Sequence, residues 1–238
     1  DKTGAIVPNI LVRGFFTTIK LSIWATGFAM ILGTLSGIMG ARGNSFQRFV
    51  SRAYVETIRN IPSLVLLIIF YYFVSSQFLD AVGLDKIVRN RPDSIQGIIA
   101  ILLAEPAHIN AFVSAVAALG IYEGAYICEI VRGGILSVPN GQWEASLSIG
   151  LSRRRTFLLI ILPQVLRRTA FPMAGQFIST IKDSAIVSVI SIQELTFQGM
   201  EIMAATFLTF EVWMTITLLY FILTFPLSLA VSVLEKKY

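Results

Sequence analysis

Long apolar runs dominate this chain, and short polar connections separate them. The clearest runs occupy positions 21–40, 61–78, 111–135, 172–192 and 207–233. Because a membrane-spanning helix needs about 20 apolar residues, the pattern predicts an all-α membrane protein, a bundle of about five transmembrane helices. A further apolar stretch at 95–104 has only about half the length of a span, so we expect an amphipathic or re-entrant segment in a loop there.

The composition supports a single transmembrane domain over 1–238. Hydrophobic residues make up 55% of the chain and charged residues 14%, whereas a soluble domain carries roughly 25% charged residues. These proportions exclude a soluble globular domain, a disordered chain and a coiled coil. One cysteine, Cys128, permits no internal disulfide, and one histidine, His108, excludes a multi-histidine metal site.

The basic residues predict the orientation in the membrane. Twelve of the 19 Lys and Arg residues lie in the connection 41–60, in the segment 132–171 and at the C-terminus, and six lie on the opposite side. The side richer in basic residues is the cytoplasmic one. We therefore expect a multi-pass protein in the lipid bilayer, with its N-terminus outside and its C-terminus in the cytoplasm. This placement of charge between apolar runs argues against nucleic acid as a partner.

No catalytic constellation is present in the sequence. It contains no Walker A loop, no dinucleotide fingerprint and no Gly-x-Ser-x-Gly elbow. We therefore predict no catalytic residue, no metal site and no cofactor in the chain itself, which disfavours a membrane-embedded enzyme. An ATP-independent channel or secondary carrier for small polar solutes is the alternative, although such carriers are commonly built from inverted repeats and the sequence shows no convincing repeat.

The long connection 137–171 carries a predicted interaction element. A Pro-Asn-Gly turn at 139–141 ends the preceding helix. Three apolar residues then recur at four-residue spacing and predict one face of a short helix: Trp143, Leu147 and Leu151. Gly150 is expected to stop this helix by adopting a left-handed conformation. We infer a cytoplasmic helix that fits a groove on a partner protein.

The same loop contains a spaced motif. Its parts are Glu144-Ala145-Ser146, then Gly150, then Ile160-Ile161-Leu162-Pro163. This motif resembles the EAA loop of bacterial ABC import permeases, with Ser146 where the family usually has alanine. Other segments resemble the polar amino-acid uptake branch of that family: Arg59 before Ile61-Pro62, Glu129, Arg132-Gly133-Gly134, Gly141-Gln142 and Lys182-Asp183-Ser184. The chain departs from that branch after Lys182-Asp183, where Ser-Ala-Ile stands in place of Thr-Ser-Leu.

The resemblance implies the transmembrane domain of a type I importer for a polar amino acid, in the bacterial cytoplasmic (inner) membrane. It also implies partners: a dimer of ABC ATP-binding subunits that holds ATP and Mg, a second permease subunit (identical or homologous) and an extracytoplasmic substrate-binding protein. The loop would form a coupling helix seated in a cleft of the ATPase. The residues that the resemblance assigns to this coupling are Gly141, Gln142, Glu144, Ala145, Ser146, Gly150, Leu162 and Pro163.

Charged residues in the predicted spans or at their ends form two groups. Glu129 and Arg132 are three positions apart on one helix, as are Glu56 and Arg59, so we expect two structural ion pairs. The second group, Glu123, Lys182 and Asp183, is predicted to meet near the membrane midplane and to form a substrate pathway. Tyr126 and Ser184 are predicted to add polar lining to this pathway. There Glu123 would attract the ammonium group of a substrate and Lys182 its carboxylate. A buried structural network is the alternative for this group.

Overall fold

The computed structural model of the chain describes residues 10–75 and 82–236, and all regular secondary structure in these ranges is helical. The helices are α1 (Ile10–Arg42), α2 (Ser45–Asn60), α3 (Ser63–Ile69), α4 (Leu84–Arg89), α5 (Asp93–Leu102), α6 (Ile109–Leu136), α7 (Asn140–Ser148), α8 (Arg153–Thr156), α9 (Leu162–Asp183), α10 (Leu195–Thr206) and α11 (Thr209–Glu235). A π-helical segment, Phe157–Ile161, joins α8 to α9, and a 3₁₀ segment, Ser184–Ile190, extends α9.

Four helical stretches of the described chain are long and apolar enough to cross a membrane, and a bent helix pair brings the number to five when it is counted as one span. The five predicted apolar runs therefore each have a helical counterpart. The second one differs from the prediction for 61–78, because it starts earlier and is broken: α2 and α3 meet at 107°. Pro62 lacks a backbone N–H and disfavours helical geometry in the residue before it, and Ile61 is accordingly extended, with φ −94° and ψ 133°. Positions 76–78 of the predicted run lie outside the described residues.

The fourth span also starts earlier than predicted. One helical stretch extends over Arg153–Ile190, so Pro172 lies inside α9 rather than at its beginning. The connection that precedes it is consequently shorter than the predicted 137–171. Leu162 and Pro163 occupy the first turn of α9, directly after the π-helical segment Phe157–Ile161. Because Pro163 has no N–H to donate, it lies where the helical hydrogen-bond pattern changes from π to α.

Helices α1 and α6 pack along each other at the centre of the bundle. Small residues of α1 make this approach possible, as their four-residue spacing predicts. A methyl group at Gly33 would lie 2.6 Å from the Gly124 carbonyl oxygen, and one at Gly37 would lie 2.7 Å from the Cys128 carbonyl oxygen. Helices α2 and α9 contact this central pair. Through this packing the backbone of α1 lies directly against that of α6.

The bundle has two distinct ends, which we name the α7 end and the α10 end. At the α10 end, the completely buried Glu194 accepts hydrogen bonds from the backbone N–H groups of Thr196 and Phe197 and from the Tyr220 hydroxyl, all at 2.8–2.9 Å. Thr18 of α1 lies 3.5 Å from the same carboxylate. Burial raises the pKa of Glu194, although the hydrogen bonds favour its ionised form. Glu194 thus joins α1, α10 and α11, a role that the sequence did not indicate.

The short helix α5 corresponds to the apolar stretch at 95–104. It has ten residues, about 15 Å at 1.5 Å per residue, and is too short to span a bilayer. Lys20 of α1 donates a hydrogen bond to the Ala100 carbonyl at 3.0 Å, and Trp24 donates one to the Leu102 carbonyl at 2.9 Å. These contacts hold α5 against the first half of α1.

Candidate functional site

Helix α7 is presented on the surface of the described protein. Pro139 precedes it, and within the helix only Ser146 is buried and Trp143 half-buried. The predicted coupling residues Gly141, Gln142, Glu144 and Ala145 are all exposed. The predicted apolar face is only partly covered, because Leu147 remains 42% exposed. An exposed short helix of this kind offers a surface to another protein.

Gly150 ends α7 through its backbone conformation. Its φ is +86°, in the left-handed region, which confirms the prediction for this glycine. The Gly150 N–H donates to the Leu147 carbonyl at 3.0 Å, and the Leu151 N–H donates to the Ser146 carbonyl at 3.2 Å. This pair of bonds is the Schellman arrangement that satisfies the last carbonyls of a helix. A side chain at position 150 would meet open space, so the glycine is needed for its φ and not for a close approach.

The second candidate site surrounds Glu123 of α6. This residue is completely buried. Gln176 of α9 donates a hydrogen bond to its Oε2 at 2.5 Å, whereas Oε1 lacks a well-formed hydrogen bond in the described chain. The carboxyl of Asp183 and the hydroxyl of Thr180 lie close enough to interact with Glu123. Two neighbouring carboxyl groups, one of them buried, attract a positively charged group.

Aromatic and basic side chains continue from this site toward the α7 end. The Tyr126 hydroxyl lies 3.1 Å from that of Tyr122, one turn away on α6. The Arg59 guanidinium, near the end of α2, lies 5.1 Å from the centre of the Tyr126 ring. Both tyrosines are half-buried, so this face of α6 is not fully covered by the rest of the chain.

Lys182 and Ser184 are not brought into the Glu123 site. Lys182 is exposed, and the described chain contains no ion pair between it and Glu123 or Asp183. The Ser184 hydroxyl is buried and donates to the Ile181 carbonyl at 2.7 Å. Equal depth in the membrane suggested a meeting of Lys182 with Glu123, but the two side chains leave their helices in different directions.

The two predicted ion pairs differ in outcome. Arg132 forms a bidentate pair with Glu129, with nitrogen–oxygen distances of 3.0 and 2.6 Å. The predicted pair of Glu56 with Arg59 is wrong: Glu56 lies 4.0 Å from Arg52, in an exposed contact, and Arg59 turns to Tyr126 instead. Spacing alone did not decide between the two neighbours, because both i,i+3 and i,i+4 pairs face each other on a helix.

A cavity of about 700 Å³ lies among α1, α2 and α6 next to Tyr126. Four arginines and two glutamates line it: Arg48, Arg52, Arg59, Arg132, Glu56 and Glu129. Charged groups at membrane depth face water or a protein interior rather than lipid. In the sequence, four of these residues lie within 48–59 and two lie about 70 positions later on α6, and no pattern indicated that they surround one space.

Comparison with known proteins defines the class to which this fold belongs. The family described as "Binding-protein-dependent transport system inner membrane component" matches residues 29–238, and the chain belongs to this family. It is a permease subunit of an ABC transporter, with the transmembrane fold of type I importers.

Individual relatives match over nearly the whole chain. It is 33% identical over 236 residues to the glutamine transport system permease protein GlnP of Escherichia coli (strain K12), with 98% of this chain and 96% of the relative covered. It is 35% identical over 230 residues to the L-cystine transport system permease protein TcyB of Bacillus subtilis (strain 168), covering 96% and 86%. A crystal structure of "an amino acid ABC transporter with histidines" superimposes with a TM-score of 0.75 and 30% identity, covering 96% and 94% of the two chains.

Proposed function

We propose that this chain is the permease subunit of an ATP-driven importer that moves a polar amino acid across the cytoplasmic membrane. The observation that carries the proposal is the exposed helix α7, which holds the Glu144-Ala145-Ser146 motif and is ended by Gly150 in its required conformation. The proteins with which the chain shares 33% and 35% identity are named for glutamine and cystine transport, which supports an amino acid as cargo.

In this proposal, α7 docks in a cleft of an ATP-binding subunit, and two such subunits bind ATP and Mg. The three consecutive arginines Arg153, Arg154 and Arg155 follow α7 and are exposed, which supports a cytoplasmic position for the α7 end. The α10 end then faces outward and receives a substrate-binding protein. A second permease subunit, identical or homologous, completes the membrane part.

The substrate site is assigned to Glu123 and Asp183, which receive the ammonium group. The Oε1 of Glu123, which lacks a well-formed hydrogen bond in the described chain, is a free acceptor for that purpose. Lys182 is assigned to the face that meets the second permease subunit, because an exposed lysine at membrane depth is costly against lipid. Arg59, next to Tyr126, takes over the role of attracting the carboxylate, and the charged cavity beyond it forms the route toward the α7 end.

The test is reconstitution of the chain in liposomes with candidate ATP-binding subunits and binding proteins. We expect labelled amino acid to accumulate only with ATP and a loaded binding protein. Accumulation without ATP would support the alternative of a channel or secondary carrier, and would contradict the proposal. Failure of every ATP-binding subunit to copurify with the chain would contradict the coupling role of α7.

A further inference from the structure

Two contacts of the Trp143 ring, with Arg42 and with Phe157, link α7 to the transmembrane helices; we call them together the Trp143 stack. Arg42 is the last residue of α1, and its guanidinium carbon lies 3.6 Å from the centre of the Trp143 ring. Phe157, the residue that follows α8, stacks its ring on that of Trp143. The ring centres are 6.4 Å apart, and the angle between the ring planes is 27°. A cation this close to an indole face is attracted by the negative face of the ring.

Trp143 is the main attachment of α7 to the transmembrane bundle. The other side chains of α7 are exposed, except that of Ser146, whose hydroxyl bonds to the Gln142 carbonyl of the same helix at 2.6 Å. The Trp143 side chain packs on the apolar cluster that contains Ile135 and Ile161. Its indole nitrogen is buried without a hydrogen bond in the described chain. The connection that leads into α7 is held by hydrogen bonds from the Arg168 guanidinium of α9 to the Ser137 carbonyl and hydroxyl. Helix α7 itself is attached through the ring and apolar contacts of Trp143.

Helix α1 is itself held at one end and in the middle. At the α10 end, the Leu195 N–H donates a hydrogen bond to the Thr18 hydroxyl at 3.1 Å. In the middle, Gly33 and Gly37 lie against the backbone of α6. A displacement of α1 relative to α7 must therefore change the contact between Arg42 and Trp143.

We propose that Arg42 is a positioning residue that fixes the orientation of α7 by stacking on Trp143, so that movement of α1 is passed to α7. This role rests on the proposed docking of α7 in an ATP-binding subunit. The motif around Glu144 does not indicate this role of Arg42, because Arg42 lies outside the connection 137–171. Through this stack, the position of α7 depends on α1, which extends to the α10 end of the bundle.

The first test measures the stack in the isolated permease, independently of any ATPase. Trp143 is left as the single tryptophan after replacement of the other two by phenylalanine. We expect Arg42→Ala to increase quenching of Trp143 fluorescence by acrylamide and Arg42→Lys to increase it less, since lysine keeps the cation. The control is Arg154→Ala, an exposed arginine on α8, which should leave quenching unchanged. Equal quenching in Arg42→Ala and wild type would overturn the proposal.

The second test uses the complete transporter. Arg42→Ala should assemble and retain basal ATP hydrolysis but lose about threefold or more of the stimulation by a loaded binding protein, whereas Arg42→Lys retains part of it. In a Trp143→Leu background, Arg42→Ala should have no additional effect, because the two residues act through one contact. Wild-type stimulation in Arg42→Ala, or a full additional loss in the double variant, would refute the positioning role. Failure of the wild-type chain to bind the ATP-binding subunit would instead refute the proposed function.

Discussion

Gly150 offers a sharp test of how α7 is terminated. Its φ of +86° is accessible to glycine without strain, whereas a residue with a side chain incurs a cost of about 1–3 kcal/mol in this region. Because a β-carbon at position 150 would touch nothing within 4 Å, no steric clash adds to this cost. For Gly150→Val we therefore expect about 2 kcal/mol of strain in the docked conformation. If the free variant relieves this strain by unwinding the end of α7, association with the ATP-binding subunit weakens by up to roughly 30-fold.

The matched control is Gly150→Asn, since asparagine enters the left-handed region more readily than other residues with side chains. Binding of the purified ATP-binding subunit to each permease variant in detergent, followed by transport-coupled ATP hydrolysis, measures the effect. The asparagine variant should remain close to wild type, and the valine variant should lose affinity while still inserting into the membrane. Equal affinity of the valine variant and wild type would refute the reasoning, as would equal impairment of both variants.

Three further predictions concern packing, orientation and pH. Gly33→Ala should lower the thermal stability in detergent, because its methyl group would lie 2.6 Å from a carbonyl oxygen of α6; Gly27→Ala, which meets nothing within 4 Å, should not. With the native cysteine replaced, Arg89→Cys should react with an impermeant thiol reagent on intact cells and Arg154→Cys should be protected; the reverse labelling would overturn the orientation. Because burial raises the pKa of Glu194, its ionisation destabilises the fold, and the stability of wild type relative to Glu194→Gln should fall as pH rises above the usual value of about 4.3; a pH-independent difference would contradict this.

Local sequence signals predicted the helices and the end of α7. Apolar runs of about 20 residues identify membrane spans because a helix needs only sufficient length and hydrophobicity to cross the bilayer. Gly150 was recognisable as the end of α7 because few other residues fit a left-handed conformation. The break at Pro62 was also visible in the sequence, but the apolar run around it hid the bend of 107°. Pro62 thus follows the end of α2, whereas Pro172 is accommodated inside α9.

Side-chain partners were predicted less well than helices. The spacing of Glu129 and Arg132 matched their contact, whereas Arg59 turned to Tyr126 on another helix. Depth in the membrane placed Lys182 level with Glu123 but gave no direction for either side chain. The contact of Arg42 with Trp143 joins residues about one hundred positions apart. Patterns within one helix do not predict a contact between residues so far apart in the sequence. Contacts between distant helices depend on packing, which a single sequence does not display.

We propose that an amino acid passes the carboxyl group of Glu123 during ATP-driven import. ATP-dependent uptake by Glu123→Gln in liposomes tests this role, beside Glu201→Gln, which makes the same change at an exposed position of α10. We expect Glu123→Gln to assemble, to hydrolyse ATP at the basal rate and to lose uptake, while Glu201→Gln transports normally. Assembly of Glu123→Gln with uptake at the wild-type rate would show that the substrate does not depend on this carboxyl group.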